Sequence, residues 1–336
     1  MTSRRAQGNL AAIEKSLYGE AALAKKLGLV LGSGAARGWA HVGVLRGLAE
    51  IGVKPDVIAG CSVGALVGGA YVLGCLDDFE AWARELKPLS ALQSFGFSVS
   101  RGGLVNTAPA FSAFRVYDRN IEDLPVKFGA AAADLGTGEE VWITEGSVIE
   151  AARASCAIPV IFHAVRREGR WLIDGAVADP APVSLARHLG ADAVVAVDLN
   201  AVPRVLERFS PKILAAQNQP DPQQAAGERP PAQPESLSRA VGKLIEETRR
   251  MVDRQIEAAR IKAESRPRLF ETAYAAADIF QMHLARARAA LDPPDVLLKP
   301  DMRDALPTAF DRADEFIENG RQALLAQRAA IEKLLA

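Results

Sequence analysis

The chain has 336 residues, 49% of them apolar and 24% charged, with a formal net charge of −1. That size and apolar content can bury a large α/β core as one domain or two, and the balanced charge, with no basic block or aromatic-basic interleaving, excludes a general field for nucleic acid. Three cysteines (61, 75, 156) and four scattered histidines (41, 163, 188, 283) fit no metal spacing or disulfide set, and the N-terminus lacks the apolar core of a signal peptide, so we expect a cytoplasmic protein with no metal and no cofactor.

Residues 9–25 space Leu10, Ile13, Leu17 and Ala21 at helical intervals among Lys and Glu. This predicts a short amphipathic helix that packs on the body or touches a membrane surface. Leu27 to Leu31 reads as an uninterrupted apolar strand. It is followed by the glycine loop Gly32-Ser33-Gly34-Ala35-Ala36-Arg37-Gly38 and a helix to about Glu50 with Val42, Leu45 and Leu48 on its apolar face. With a second strand over Asp56 to Ala59, this βαβ unit opens a mostly parallel sheet flanked by helices. Successive N–H groups in such a loop can hold an anion at a helix start. The spacing G-x-G-x-x-x-G departs from the dinucleotide pattern, and no Gly-Lys-Ser/Thr follows for a triphosphate. The readings are a nucleotide cradle, a bare tight turn, and an oxyanion loop that directs N–H donors at a neighbouring reaction centre.

The second strand runs into Gly60-Cys61-Ser62-Val63-Gly64, the G-x-S-x-G of a nucleophile elbow. Glycines two before and two after the serine leave no Cβ in the bend, so Ser62 can stand above the sheet edge at the start of the next helix. The same uncharged window, Val57 to Leu76, could instead cross a membrane with Gly60, Gly64 and Gly68 as a packing stripe. Its five glycines and the lack of a basic flank favour strand, elbow and buried helix.

Residues 77–118 alternate helical patterns with looser segments, including a helix start at Thr107 before Pro109, and predict much of a pocket wall. Val126 to Asp134 and Glu140 to Thr144, joined through Gly136-Thr137-Gly138, read as a hairpin. Ser147 caps a helix to about Ala154, and Ser155-Cys-Ala-Ile-Pro159 interrupts the chain before Val160 to Val165. After a Glu168-Gly169 turn, the strand Trp171 to Asp174 ends on an acid followed by Gly175, which is either an Asp-Gly turn or a carboxylate presented at a strand end. A helix after Pro182 leads into the buried parallel strand Ala193 to Asp198. Residues 203–236, with seven prolines among Gln and Ala, predict a flexible insert. Leu237 to Leu291 predicts two helices broken by Pro267, Asp295 to Lys299 a returning strand, and Phe310 to Leu335 a final helix. The expected parts are an N-terminal helical extension (1–26), a core (27–200), an insert (201–236) and a helical C-terminal part (237–336) that returns one strand to the core.

Four blocks in this order resemble the patatin-like phospholipase family, in its bacterial branch, which is similar to the catalytic domain of neuropathy target esterase. They are the glycine loop with Trp39-Ala-His-Val-Gly-Val-Leu45 after it, the elbow, Ala154-Ser-Cys-Ala-Ile-Pro-Val-Ile-Phe162, and Asp174-Gly175-Ala176. The resemblance covers residues 27–200, with residues 294–300 and the last helix as a weaker tail. It implies a three-layer α/β fold and an acyl hydrolase with a Ser-Asp dyad, Ser62 as nucleophile and Asp174 as base. It also implies Gly32, Ser33, Gly34, Ala35, Arg37 and Gly38 in or supporting the oxyanion loop, Gly60, Cys61, Val63 and Gly64 in the elbow, and Gly175 and Ala176 beside the acid. The implied substrate is a phospholipid or lysophospholipid acyl ester, met in the cytoplasm or at a membrane surface. A carboxylate can take a serine's proton if it lies within hydrogen-bond reach and is partly desolvated. A competing triad would recruit His163 or His188, of which only His188 follows Asp174 as the α/β-hydrolase order requires. A regulatory or scaffold protein that keeps the fold and hydrolyses little is the reading from another class, against which the intact Ser62, Asp174 and glycine loop weigh.

Overall fold

The computed structural model describes residues 25–86, 97–100, 103–105, 111, 114–159, 161–201, 269–302, 305–306 and 308–336. Residues 9–24 of the expected N-terminal helix, the helix start at Thr107, the insert 203–236 and the expected helix ahead of Pro267 lie outside them. By internal contacts the chain forms two units, Met1–Pro203 with Asp278–Ala336, and Arg204–Ala277; the large sheet belongs to the first.

In chain order the elements begin with β1 (Leu27–Leu31), α1 (Trp39–Glu50), β2 (Val57–Cys61), α2 (Val63–Val72) and α3 (Leu76–Glu85). A small hairpin of β3 (Phe97–Ser100) and β4 (Gly103–Val105) precedes β5 (Lys127–Asp134), β6 (Glu140–Ile143) and α4 (Val148–Ser155). Then come β7 (Val165–Arg167), β8 (Arg170–Asp174), α5 (Val183–His188), β9 (Ala193–Val197), α6 (Leu269–Leu291), β10 (Val296–Leu298), α7 (Ala313–Leu325) and α8 (Arg328–Leu335).

Strands β10, β9, β1, β2 and β5 are parallel neighbours, whereas β6 and β8 pair with β5, and β7 with β8, in the antiparallel sense. Every residue of β1, β2 and β9 is buried, which is why their sequences are nearly continuous apolar runs: helices cover both faces. Alternate residues serve opposite layers. Leu29, Leu31, Ile58, Val195 and Val197 join the larger core with α1 to α4 and α7, while Val30, Val57, Ala59, Val194 and Ala196 meet Val183, Leu185 and Ala186 of α5. The architecture is the expected mostly parallel sheet flanked by helices.

Three boundaries differ from the sequence reading. β2 starts at Val57, with the Asp56 side chain accepting Leu27 N–H at 2.8 Å just before it, and it continues to Cys61 because pairing with β5 does. The strand expected from Val160 begins only at Val165, since Ile161 and Phe162 N–H both turn back to Ile158 O. The final helix is two: Gln327 leaves helical geometry (φ −106°, ψ 10°), and the bend lets both Leu324 and Ile331 be fully buried.

Helices α1 and α7 touch backbone to backbone. A Cβ on Gly43 would stand 1.7 Å from Ile317 O, and one on Gly320 1.9 Å from Ala40 O, so each glycine is the absence on which the other helix rests. Gly43→Ala must push the helices apart, which we expect to cost about 1–3 kcal/mol or more. Calorimetry should record a lowered Tm, and an unchanged Tm would contradict this contact.

Candidate active site

Ser62, between β2 and α2, has φ 54° and ψ −125°, a conformation that costs a non-glycine residue about 1–3 kcal/mol and persists only where its surroundings enforce it. The enforcement is close packing. A Cβ on Gly60 would lie 2.4 Å from Ala65 Cα, and one on Gly64 1.9 Å from Leu31 O, so the turn sits flush against β1 and the first turn of α2. Ala65 and Leu66 N–H donate to Ser62 O at 2.9 and 3.1 Å, starting α2 at once.

Asp174 reaches Ser62 because β2 and β8 share one edge of β5. Odd-numbered residues bond to that edge: Lys127 N–H donates to Asp56 O at its start, and Leu135 N–H to Trp171 O beyond its end. Asp134 N–H turns the other way, to Glu139 O beside β6. β2 runs parallel to β5 as far as Cys61 opposite Ala131, and β8 arrives antiparallel and stops with Asp174 opposite Ala132. The strands meet head on, and Ser62 and Asp174 face each other at the join.

Ser62 Oγ donates to Asp174 Oδ2 at 2.5 Å, and Ala176 N–H donates to Oδ1 at 2.9 Å. Asp174 is 3% exposed. Burial pushes its carboxyl pKa from 3.8 up to about 6, against the pull of those two hydrogen bonds. Gly175 has no room for a side chain, since a Cβ there would meet Ala131 O at 2.2 Å. Ser155, the last residue of α4, accepts Ser62 N–H at 2.8 Å and donates to Ala131 O at 2.5 Å.

The glycine loop lies beside this pair and is tied from several sides. Gly32 N–H donates to Val197 O and Ser33 N–H to Pro180 O, so these two residues anchor the loop. Gly32 O accepts His41 Nε2 at 2.7 Å, which fixes the hydrogen on that nitrogen and leaves Nδ1 buried with no partner among the described residues. Burial lowers the His41 pKa to about 4, keeping the ring neutral. Arg37 donates to Gly34 O, Asn200 Oδ1 and Asp278 Oδ1 at 3.1, 2.9 and 2.8 Å. Asn200 Nδ2 donates to Ser33 O, and Ser33 Oγ to Gln281 Oε1 of α6. No backbone hydrogen bond from Gly34 or Ala35 N–H occurs among the described residues. A Cβ on Gly38 would collide with Val63 Cγ2 at 2.1 Å, so the loop's helical end packs directly on the elbow.

The structure thus brings together the glycine loop, the elbow residues 60–64 and Asp174 to Ala176. Cys61 and Cys156 are buried and their thiol pKa values are raised, mainly by that burial, which keeps them protonated. His188 lies against Trp142 of β6, with ring centroids 4.9 Å apart and the planes tilted by 43°. Among the described residues no His, Cys, Asp or Glu group could hold a metal, and no helix is long and apolar enough to cross a membrane. The window from Val57 to Leu76 is divided among β2, the elbow, α2 and the start of α3. Ser155, His41, Asn200, Asp278 and Gln281 were not singled out from sequence. Ser155 alone left a local signal, as the one polar residue in the stripe Val148, Ala151, Ala152, Ser155.

The raised Asp174 pKa has a consequence for stability with a definite sign. The folded state binds this proton more tightly than the unfolded chain, so the contribution is fully present below about pH 4 and is lost as pH rises through about 6. Asp174→Asn mimics the neutral form. We expect it to raise Tm at pH 7.5, by a free energy up to about 3 kcal/mol, and to make little difference at pH 4. A variant less stable than wild type at pH 7.5 would contradict the burial of an unpaired charge.

Residues 29–187 match the family described as Patatin-like phospholipase. An uncharacterized NTE family protein of Mycobacterium bovis is 40% identical over 177 residues, 52% of this chain and 49% of its own. Lysophospholipase nte1 of Emericella nidulans is 30% identical over 193 residues, 53% of this chain and 12% of that protein. A patatin-like phospholipase domain-containing protein of Caenorhabditis elegans is 32% identical over 185 residues, 52% and 14% of the two chains. The chain therefore spans about half the length of the bacterial relative and less of the others. The segment that matches this family, residues 29–187, holds the glycine loop, Ser62 and Asp174.

Proposed function

We propose that this protein hydrolyses acyl esters of phospholipids or lysophospholipids through an acyl-enzyme on Ser62, with Asp174 as its base and no histidine in the pair. The observation that carries the reading is the direct 2.5 Å contact between Ser62 Oγ and a buried carboxyl whose pKa stands near 6. At neutral pH that carboxyl is ionised yet more basic than an ordinary aspartate, which suits it to accept a proton. As Oγ attacks the ester carbonyl carbon, its proton moves to Asp174 Oδ2 and the carbonyl electron pair moves onto oxygen. That oxyanion is stabilised by the N–H groups of Gly34 and Ala35 and by the positive end of α2. Collapse expels the alcohol, which takes the proton from Asp174 and leaves the acyl group on Oγ. Water then attacks, giving its proton to Asp174, and Ser62 departs with that proton as the fatty acid is released. A scaffold protein would have no use for a serine held at φ 54° against a buried acid.

A lipid acyl chain is supported by the surroundings of α2. Leu66, Gly69, Ala70 and Leu73 repeat the helical face headed by Ser62, and they line a narrow apolar cavity with Val148, Ile149 and Ala152 of α4. The eleven residue steps from Ser62 to Leu73 span about 16 Å, and Phe79 and Trp82 are also in the cavity lining. We assign the chain to this slot, and the cytoplasm or a membrane surface as the place where it is met.

Four outcomes test the reading. Purified protein should be labelled by a fluorophosphonate at Ser62, and Ser62→Ala and Asp174→Asn should stay folded while losing soluble-ester hydrolysis. His163→Gln and His188→Gln should keep most of the rate, and a folded, inactive His188→Gln would overturn the dyad. Because the base works ionised, turnover should rise with pH through about 6 and fall below it; a rate independent of pH between 5 and 8 would exclude Asp174 as base. Gly69→Leu, which fills the slot, should lower kcat/KM for a decanoate ester about tenfold or more while sparing the acetate ester. Equal losses on both esters would remove the slot from the mechanism.

A further inference from the structure

We infer that the Ser155 hydroxyl positions the nucleophile by standing inside the β2–β5 ladder at the rung where that ladder has to end. With Gly60 opposite Ala130 and Cys61 opposite Ala131, the next parallel rung would run from Ser62 N–H to Ala131 O. The bond is interrupted. Ser62 N–H donates to Ser155 Oγ at 2.8 Å and Ser155 Oγ donates to Ala131 O at 2.5 Å, so one hydroxyl accepts on one side and donates on the other. Ser155 is 0% exposed, and both of its neighbours in the rung are main-chain groups that must find partners.

The insertion has a geometric effect. A direct rung would hold N and O about 2.9 Å apart, whereas two bonds in series hold them farther apart and lift Ser62 off β5. The lifted chain can turn at once into α2, and the edge of β5 is left open where Asp174 enters opposite Ala132. The wedge is also firmly held, because it ends α4, whose Val148, Ala151 and Ala152 are buried and which packs along α2. Ser155 touches neither the ester nor Asp174 in this scheme; it acts through Ser62, and the inference rests on the reading of Ser62 as nucleophile.

Without the hydroxyl, Ser62 N–H can close directly onto Ala131 O and draw Oγ out of line with Asp174. Ser155→Ala should therefore lower kcat for a soluble ester about 10²-fold, leave KM within about threefold, and slow fluorophosphonate labelling of Ser62 in parallel, all per folded molecule. Ser155→Thr and Ser155→Val have one shape and differ in the hydroxyl, so the threonine variant should exceed the valine variant about tenfold or more. Wild-type kcat in Ser155→Ala, or equal activity of the Thr and Val variants, overturns the inference. If Ser155→Ala does not fold, the Thr and Val pair decides, and failure of all three to fold makes Ser155 a core residue and overturns it too. Wild-type protein that takes no label at Ser62 sinks the hydrolase reading together with this one, whereas a labelled wild type beside a fully active Ser155→Ala sinks this one alone.

Discussion

The edge of β5 at Ala131 and Ala132 is a place where two strands of opposite direction must stop within one residue of each other. A one-residue slip of β2 or β8 would move its terminal residue by about 3.3 Å and turn every side chain to the opposite layer. The two unlike layers resist such a slip. Ile58 and Phe128 belong to the larger core while Val57, Ala59 and Ala131 belong to the smaller, so a shifted strand would put large residues against α5 and small ones under α1 to α4. The meeting of Ser62 and Asp174 is thus a property of sheet register, and the glycines at 60, 64 and 175 are what lets main chain crowd into the gap.

Two buried ionisable side chains in this structure, Asp174 and Arg37, are handled in opposite ways. Asp174 faces a serine hydroxyl and one backbone N–H, with no cation bonded to it, so burial raises its pKa. Arg37 is also buried, yet it is matched by Asp278, Asn200 and the Gly34 carbonyl. The first arrangement keeps a carboxyl pKa high at the expense of stability at neutral pH, and the second fixes a loop by satisfying a charge whose loneliness would cost several kcal/mol. The strained serine and the carboxylate without a cation are both unfavourable, and the close packing around Gly60, Gly64 and Gly175 holds them in place.

Legibility in the sequence followed how locally each constraint acts. The elbow, the glycine loop and the Asp-Gly pair could be read because tight backbone leaves glycines at fixed offsets from the residue it presents. β1, β2 and β9 could be read because burial on both faces requires unbroken apolar runs. The approach of Asp174 along the same edge as β2 could not be read, since it depends on which side of β5 a distant strand joins. The partners of Arg37 and Ser33 on α6 lie 241 and 248 residues away and outside the matched segment, and nothing local announces them. The break at Gln327 escaped because the apolar spacing of the last 25 residues continues across it, and the bend answers to the burial of Leu324 and Ile331.

The distance along the chain between Arg37 and Asp278 also bears on biosynthesis. At ~5–20 residues per second, the ribosome needs roughly 10–50 s after making Arg37 before it makes the carboxylate that neutralises it. The elbow, Ser155 and Asp174 all emerge within that interval. A nascent chain can therefore assemble its serine and acid while the loop beside them still lacks its clamp, and the site is first complete once residues 278–281 have been made.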